Sequence, residues 1–379
     1  MTSFPAGLLD AAMRDAIAAF CQNVIAPEAR QVDAEARFAT CHLAALADMG
    51  IMGLNIPVEL GGAGLDPYTL FEAVASLAGA CASTASMVSA HYLATDSIKY
   101  GGSDEQRQKW LPPAAAGKSL GSFALTEPNA GSNPADMTTR AVRAGDNYRI
   151  TGTKHFISNA GAADFIVVYA KTDPAAGARG ISAFIVEPKL GGVRIGNAEP
   201  TMGLRGGHVF EVAFDALVPA ENRLGEEGTG FRTALKTLDA GRLDIAACCV
   251  GIAEAAFAAA SDWLKTRKVG GAPIAGFQGL QWMLADMATD IAAARGLCLE
   301  ASRKRAAGER FSLEASYAKL FASEMAARVT DKALQIHGGY GFTQVLPLER
   351  YVRDVRIMRI YEGSSEIQRN IIARTLLSP

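Results

Sequence analysis

One carboxylate near the C-terminus has the neighbours that a general base needs. Glu362 lies between Tyr361 and Gly363 and follows Ile360. Apolar neighbours can shield a carboxylate from water, and burial raises its pKa toward neutrality, where proton abstraction is most effective. Gly363 has no side chain, so a bulky ligand can approach the backbone closely there. Most Glu-Gly pairs only form turns, so motifs elsewhere in the chain are needed to distinguish a general base from a turn residue.

Motifs of several other chemistries are incomplete. Gly117-Lys118-Ser119 resembles the end of a P-loop, but Pro112 stands where the first glycine is required. Gly228-Thr229-Gly230 begins like a dinucleotide fingerprint, but Thr233 replaces the third glycine. The HExxH and GxSxG patterns are absent, while a Ser-His-Asp triad stays open. The five histidines have no ligand spacing, so no metal site is expected.

Composition narrows the class of protein and the partners. The formal net charge of -2 over 379 residues argues against nucleic acid as a partner. The N-terminus lacks a basic region followed by an apolar one, and no uninterrupted apolar run is long enough to span a bilayer. The six cysteines show no CxxC spacing, which favours reduced, buried thiols. We therefore expect a cytoplasmic protein without membrane insertion.

Hydrophobic periodicity predicts elements in the order α, then β, then α. Before Leu120 it predicts helices over 8–26 (interrupted by Pro27), 43–50, 68–80 and 83–100, and a short helix from Ser103 that Pro112-Pro113 stops. It then predicts strands over 148–154, 164–170, 181–187 and 209–214. Long helices follow over 230–268, 277–307, 313–336 and 347–377, the last broken around Gly363. The expected α+β domains are 1–119, 120–222 and 223–379.

Three loops could position a planar polar ligand. They are Ala124–Asn133, Lys154–Gly161 and Leu334–Phe342, and they are rich in small residues, hydroxyls and paired glycines. Each loop also has a plainer interpretation: an Asn/Pro/Gly turn, core packing of Phe156, and a turn that ends a helix.

The order and spacing of these loops, with Tyr361-Glu362-Gly363 last, resemble the acyl-CoA dehydrogenase family over nearly the whole chain. Further matching segments are Leu125–Pro128 with Gly131-Ser132, Met202–Gly206, Asp239–Arg242, Leu284–Met287 and Arg353-Asp354. The resemblance implies an N-terminal helical domain, a middle β-barrel or sandwich domain and a C-terminal four-helix bundle. It also implies FAD-dependent oxidation of acyl-CoA to trans-2-enoyl-CoA.

The resemblance assigns roles to particular residues. It implies that Glu362 abstracts the α-proton while hydride leaves the β-carbon for flavin N5, and that the Glu362 N–H and a ribityl hydroxyl bind the thioester oxygen. FAD would be bound by Phe123, Leu125, Thr126, Ser132, Phe156, Ser158, Ser364 and Glu366, and in a neighbouring subunit by Arg267, Gln278, Gln335, Gly338 and Gly339. The acyl-CoA would contact Ser132, Leu238, Asp239, Arg242, Tyr361 and Gly363.

The sequence departs from the family pattern at three positions. Phe156 stands where tryptophan is frequent, which is a mild departure. Gly270 stands where the family commonly has phenylalanine, and for this reason we expect somewhat weaker FAD retention. Gly241 occupies the position of a competing base in some members, which leaves Glu362 alone.

The resemblance also implies partners, and it leaves alternatives open. It implies a short or branched acyl-CoA as substrate, an electron-transfer flavoprotein as acceptor and a homo-oligomer, expected to be a tetramer. The alternatives are an oxidase or a desulfinase-like flavoprotein of the same fold, and a helical scaffold without flavin.

Overall fold

The computed structural model describes residues 11–378, and its elements follow one another in three groups. Six α-helices come first: α1 (Ala11–Phe20), α2 (Ala29–Ala34), α3 (Leu43–Asp48), α4 (Pro67–Ala80), α5 (Ala82–Gly101) and α6 (Asp104–Ala115). Eight strands follow: β1 (Gly121–Ala124), β2 (Arg140–Ala144), β3 (Asn147–Ser158), β4 (Phe165–Lys171), β5 (Ile181–Val186), β6 (Val193–Ala198), β7 (Val209–Pro219) and β8 (Arg223–Leu224). The last group is α7 (Gly230–Thr266), the short pair β9 (Lys268–Val269) and β10 (Ala272–Pro273), α8 (Gln278–Ala306), α9 (Ser312–His337), α10 (Leu348–Val355) and α11 (Ser365–Leu377).

Prolines interrupt the first helices less than the sequence predicts. Residues 8–10 of the first predicted helix lie outside the described residues. After α1 the chain continues through a π turn and a 3-10 turn into α2, and Pro27 is in the first turn of that 3-10 segment, where a missing N–H costs little. Pro112 and Pro113 lie inside α6, which ends only at Ala115. Burial of Trp110, Leu111 and Ala114 holds this last turn in place.

The strands form one sheet in the order β6-β7-β3-β2-β4-β5-β8, and β1 pairs in parallel with β4. The four predicted strands correspond to β3, β4, β5 and β7, whereas β1, β2, β6 and β8 were not predicted. These four are short or carry arginine and glycine at exposed positions, so their apolar alternation is weak. The confirmed three-part architecture therefore has a larger sheet than the sequence indicated.

Helix α7 packs against helices of both helical groups, namely α4, α5, α8 and α9. A Cβ atom on Gly251 of α7 would lie 1.9 Å from the carbonyl oxygen of Ala75 on α4, so the two helix backbones meet there. One hydrophobic cluster joins side chains of the N-terminal helices to those of the C-terminal bundle. The break near Gly363 is confirmed, because the chain between α10 and α11 is not α-helical.

Helix α7 and one cysteine bear on two compositional expectations. Helix α7 is long and apolar enough, by length and composition alone, to cross a membrane, although charged residues interrupt its apolar runs. An 18-residue window of this helix with a mean hydropathy of 1.8 is 72% buried within the protein, so core packing accounts for its apolarity. Among the cysteines, Cys41 is exposed while the other five are buried.

Candidate functional site

Glu362 lies in the non-helical break between α10 and α11, in a left-handed conformation with φ of 52°. The residue as a whole is half-buried, but its Oε2 atom is shielded from solvent and has no hydrogen-bond partner among residues 11–378. Burial, and next the carboxylate of Asp244, raise the pKa of Glu362 to about 8, against the opposing effects of Lys319 and Arg242. A carboxyl group with a pKa this close to neutrality exchanges its proton readily in the physiological pH range, as a general base must.

The Glu362 carboxylate packs against bare helix backbone. A Cβ atom built on Gly241 of α7 would lie 2.4 Å from Glu362 Oε2 and 2.7 Å from Leu93 Cδ2 of α5. The absence of a side chain at residue 241 therefore leaves the space that the carboxylate fills. The sequence identified Gly241 as unable to act as a base but gave no sign of this contact.

Two buried side chains bind the backbone next to the base. Lys319 Nζ donates to the Gly363 carbonyl oxygen at 2.6 Å. Gln368 Nε2 donates to the Gly363 oxygen at 3.0 Å and to the Glu362 oxygen at 3.3 Å. Sequence reasoning missed both residues, and the one available signal was a lysine among the alanines of α9.

The predicted substrate residues of α7 are close together. Arg242 Nη1 donates to Asp239 Oδ1 at 2.6 Å, and Ser312 Oγ donates to Asp239 Oδ2. Burial raises the pKa of Asp239 above its usual range. Leu238 and Phe123 both pack on the cluster of apolar residues that contains Leu125.

Tyr361 is half-buried and donates from its hydroxyl to Met358 Sδ at 3.0 Å. Ser364 Oγ accepts from the Ile367 N–H at 3.4 Å and so caps α11. The Glu366 side chain is exposed on the first turn of that helix. These residues are adjacent to Glu362 along the chain, as the sequence required.

A buried ion pair fixes the first predicted cofactor loop. Lys154 Nζ donates to the Leu125 carbonyl oxygen at 2.9 Å and to Glu127 Oε1 at 3.0 Å. Glu127 also accepts from the Thr138 and Thr139 N–H groups, at 2.6 and 3.0 Å. Although burial opposes it, the attraction of Lys154 and these hydrogen bonds lower the pKa of Glu127 to about 2.

The same loop and the end of β3 form a face that fits a flavin. The His155 N–H donates to the Thr126 oxygen at 2.9 Å and joins the two segments. Phe156 has φ of 58° and is 62% exposed, so core packing does not explain it. Within residues 11–378, the hydroxyls of Thr126, Ser132 and Ser158 form no hydrogen bond. An exposed aromatic ring beside unused hydroxyls matches a planar ring system with polar edges.

A second candidate cofactor surface lies at the far end of α9. Arg267, Gln335, Gly338 and Gly339 line a cavity of about 510 Å³. Gly338 has φ of 57°, and Cβ atoms on either glycine would meet nothing within 4 Å. Trp263 and Tyr340 add aromatic walls to this cavity.

Gln278, the remaining residue predicted to bind FAD in a neighbouring subunit, is exposed at the start of α8 and is not among the residues that line the cavity. The structure therefore brings four of these five residues to one cavity, and Gln278 follows four positions after Ile274, which also lines it.

The departure at Gly270 has a backbone explanation. Val269 pairs with Ala272, and the turn between them uses Gly270 and Gly271 with φ of 60° and 85°. Such a two-residue hairpin turn requires positive φ at both positions and prefers glycine. A phenylalanine at residue 270 would be strained in this turn, which accounts for glycine at the position.

The fold also brings together three potential metal ligands that linear spacing did not show. The ligand atoms of Glu28, Cys41 and His42 lie within 4.8 Å of one another. Glu28 Oε2 already accepts from Arg37 Nη2 at 2.7 Å, and burial raises the pKa of the Cys41 thiol. A guanidinium at the carboxylate and a protonated thiol both oppose metal binding.

Comparison with known proteins covers each part of the chain. Family models described as acyl-CoA dehydrogenase N-terminal, middle and C-terminal domains match residues 10–118, 122–217 and 228–377. A short-chain specific acyl-CoA dehydrogenase of Clostridium acetobutylicum is 43% identical, with 95% of this chain and 96% of that protein covered. An acryloyl-CoA reductase (NADH) of Anaerotignum propionicum is 42% identical, with 94% and 92% covered. The solved butyryl-CoA dehydrogenase of Megasphaera elsdenii superposes with a TM-score of 0.96 at 38% identity, and both chains are covered completely.

Proposed function

This chain belongs to the acyl-CoA dehydrogenase family, and we propose that it oxidises a short-chain acyl-CoA to trans-2-enoyl-CoA with FAD as cofactor and Glu362 as base. The observation that carries the proposal is the Glu362 carboxylate, whose Oε2 is buried and unpartnered against Gly241. A buried polar atom without a partner is costly, and such atoms persist where a ligand or a reaction uses them.

The chain's own groups account for activation of the substrate. Glu362 would remove the proton from the α-carbon, and its raised pKa of about 8 matches that task. The main-chain N–H of Glu362 forms no hydrogen bond within residues 11–378, so it is available to the thioester oxygen, where negative charge develops. A bound acyl chain would exclude water from the carboxylate and strengthen both interactions. When bound, FAD supplies the acceptor for the hydride that leaves the β-carbon.

Residues of both candidate cofactor surfaces would hold FAD. Leu125, Thr126, Phe156 and Ser158 would contact the ring, and the cavity lined by Arg267 would receive the FAD of a neighbouring subunit. This arrangement needs an oligomer, which we propose to be a homotetramer. Trp282 and Phe342 are large apolar side chains that are 62% and 83% exposed, and their burial between subunits would support assembly. An electron-transfer flavoprotein is the proposed electron acceptor, by family analogy.

The preference for a short acyl group rests on the relatives and on the packing of α7. Cys248 of α7 is fully buried and is close enough to Glu362 for the two groups to interact electrostatically, so a side chain already occupies space near the base. A long acyl chain passing on this side would have to displace it.

The identity to an acryloyl-CoA reductase supports a second candidate, in which the same site works mainly in the direction of reduction. Glu362 in its protonated form would then return a proton to the α-carbon. The two candidates use the same residues and differ in the electron donor or acceptor.

An anaerobic titration tests the proposal. We expect the purified protein to show a visible flavin band that bleaches on addition of butyryl-CoA in the absence of oxygen, and we expect the Glu362→Gln variant to keep the band without bleaching. Reduction by acyl-CoA followed by slow reoxidation in air would distinguish the dehydrogenase from an oxidase. Rapid NADH consumption with acryloyl-CoA would favour the reductase, and a colourless protein that binds no FAD would refute both.

A further inference from the structure

A lysine is buried beside the proposed base without a carboxylate partner at ion-pair distance. Lys319 of α9 has 0% exposure and forms no ion pair within residues 11–378. Its hydrogen bond to the Gly363 oxygen, at 2.6 Å, is its one polar contact within residues 11–378. Burial lowers the pKa of Lys319 to about 8. Burying an ammonium without a counter-ion is costly, so this position calls for a role that an apolar side chain could not fill.

The backbone that Lys319 binds is held in an unfavourable conformation. Glu362 has φ of 52°, in the left-handed region, and Gly363 follows with φ of 91°. A residue with a Cβ atom is destabilised in this region by the approach of Cβ to the backbone, so neighbouring groups have to hold it there. Lys319 from α9 and Gln368 from α11 both donate to the Gly363 oxygen, and Gln368 is also fully buried. Two helices therefore fix the peptide that follows the base.

We propose that Lys319, assisted by Gln368, is a positioning residue for Glu362: it holds the Glu362–Gly363 peptide in its left-handed conformation and places a positive charge beside the carboxylate. The proposal rests on the proposed function and deepens it. The left-handed turn aims the carboxylate at Gly241, and the same turn orients the Glu362 N–H that is available to the thioester oxygen. A displacement of about 1 Å in such a group can lower a rate about 100-fold.

The charge of Lys319 acts in one direction on the base. A nearby cation favours the ionised carboxylate, so Lys319 lowers the pKa of Glu362 and counters the effect of burial. The other charged or titratable groups that interact with Glu362 or Lys319 are Arg242, Asp244, Cys248 and Cys249 of α7, Glu324 of α9, Tyr361, and Glu366 of α11. Helix α5 faces the base with the apolar Leu93. Lys319 and Arg242 are thus the two cations of this set.

The test compares Lys319→Met with Lys332→Met in the FAD-loaded enzyme. Lys332 lies on the same helix and pairs with Asp286 at 2.8 Å, away from the base. We expect anaerobic flavin reduction by acyl-CoA to slow about 100-fold in Lys319→Met and to stay at the wild-type rate in Lys332→Met. We also expect the rise of the reduction rate with pH, which reports ionisation of Glu362, to move to higher pH in Lys319→Met. A residue with only a structural role would not move this pH profile.

Two further variants separate position from charge. Gln368→Leu removes a donor without changing charge, and Lys319→Arg keeps the charge but displaces the donor. We expect both to slow flavin reduction about 10-fold or more while the pH profile stays as in the wild type. They also keep the proposal testable if Lys319→Met does not fold.

A wild-type rate and pH profile in a folded, FAD-bound Lys319→Met variant would overturn the proposal, as would wild-type rates in both Gln368→Leu and Lys319→Arg. Failure of the proposed function is a different result, because wild-type flavin would then be reduced by no acyl-CoA.

Discussion

Two buried lysines lie on opposite sides of the candidate site, and their hydrogen-bond and ion-pair partners differ. Lys154 and Lys319 both have 0% exposure, and both donate to a backbone carbonyl of a loop in the site. Lys154 also pairs with Glu127, whose oxygens accept from further backbone donors. Lys319 has no such pair, and Glu362 Oε2 nearby has no partner within residues 11–378.

The two lysine environments suit different roles, one in holding a loop in place and one beside a group that can react. A buried ion pair in which every atom is bonded fixes a loop and has no capacity left for a ligand. A buried carboxylate with an unbonded oxygen can exchange a proton with a ligand. The rest of the fold has to offset the free energy lost by burying it. The β-domain side thus holds the proposed cofactor face, while the bundle side holds the proposed base.

The largest expected effect tests whether chemistry resides in Glu362. Glu362→Gln preserves shape but cannot accept the α-proton, so we expect flavin reduction to slow by about 10²–10⁴-fold, measured by anaerobic stopped-flow. Glu300→Gln is the matched control, since Glu300 is an exposed partner of Arg303 and should leave the rate unchanged. Near-normal reduction in Glu362→Gln with FAD bound would contradict the assignment and remove the basis of the comparison.

The second prediction concerns folding stability, for which we expect Lys154 to matter more than Lys319. Lys154→Met leaves the Glu127 carboxylate buried without its cation, and breaking such a pair costs about 3–5 kcal/mol. Lys319→Met breaks no ion pair, so we expect it to cost clearly less. Urea unfolding of the FAD-loaded variants, followed by fluorescence, measures both. Equal losses of stability would show that the two lysines do not differ in the way described.

The third prediction tests the contact between the base and α7. Gly241→Ala would place a Cβ atom 2.4 Å from Glu362 Oε2, so the carboxylate must move. We expect flavin reduction to slow about 10–100-fold with FAD retained. Gly296→Ala on α8 is the control, because a Cβ atom there meets nothing within 4 Å and should raise stability slightly. A wild-type rate in Gly241→Ala would mean that the position of the carboxylate is not restricted.

The sequence pointed to Glu362 as the candidate base but not to the residues that surround it. Glu362 and the break at Gly363 are visible because they are local: a carboxylate, apolar neighbours and a glycine in a row. The contacts of Lys319, Gln368 and Gly241 depend on how α7, α9 and α11 pack, and residues 44 positions apart in sequence meet there. A lysine in a helix is ordinarily on the solvent side, so its pattern alone did not mark it as buried.

The same distinction applies to the fold. The long helices have strong periodicity and were predicted within a few residues of their ends. Strands β1 and β8 have four and two residues, and such short segments carry too few side chains for a pattern to emerge. Gln278 stays a prediction, because a site shared between subunits is completed by residues of the partner, and the sequence of one chain does not position them.

The fourth prediction is a pair of opposite pH dependences of stability. Glu362 has a folded-state pKa of about 8, above the value of about 4.3 for the unfolded chain. Between these values the folded protein keeps a proton that the unfolded chain has lost, so stability falls as pH rises. Glu127, with a pKa of about 2, contributes stability above about pH 4.3 that is lost as pH falls toward 2.

The pH dependences can be separated with two variants. We expect the melting temperature of Glu362→Gln, relative to the wild type, to increase with pH up to about 8 and then to level off. We expect Glu127→Gln to be less stable than the wild type at neutral pH, with the deficit shrinking only under acid conditions. Scanning fluorimetry of both variants over a pH series measures these slopes. Parallel slopes would mean that the two carboxylates have similar environments, and the unbonded oxygen of Glu362 would then no longer distinguish the reactive side of the site from the structural one.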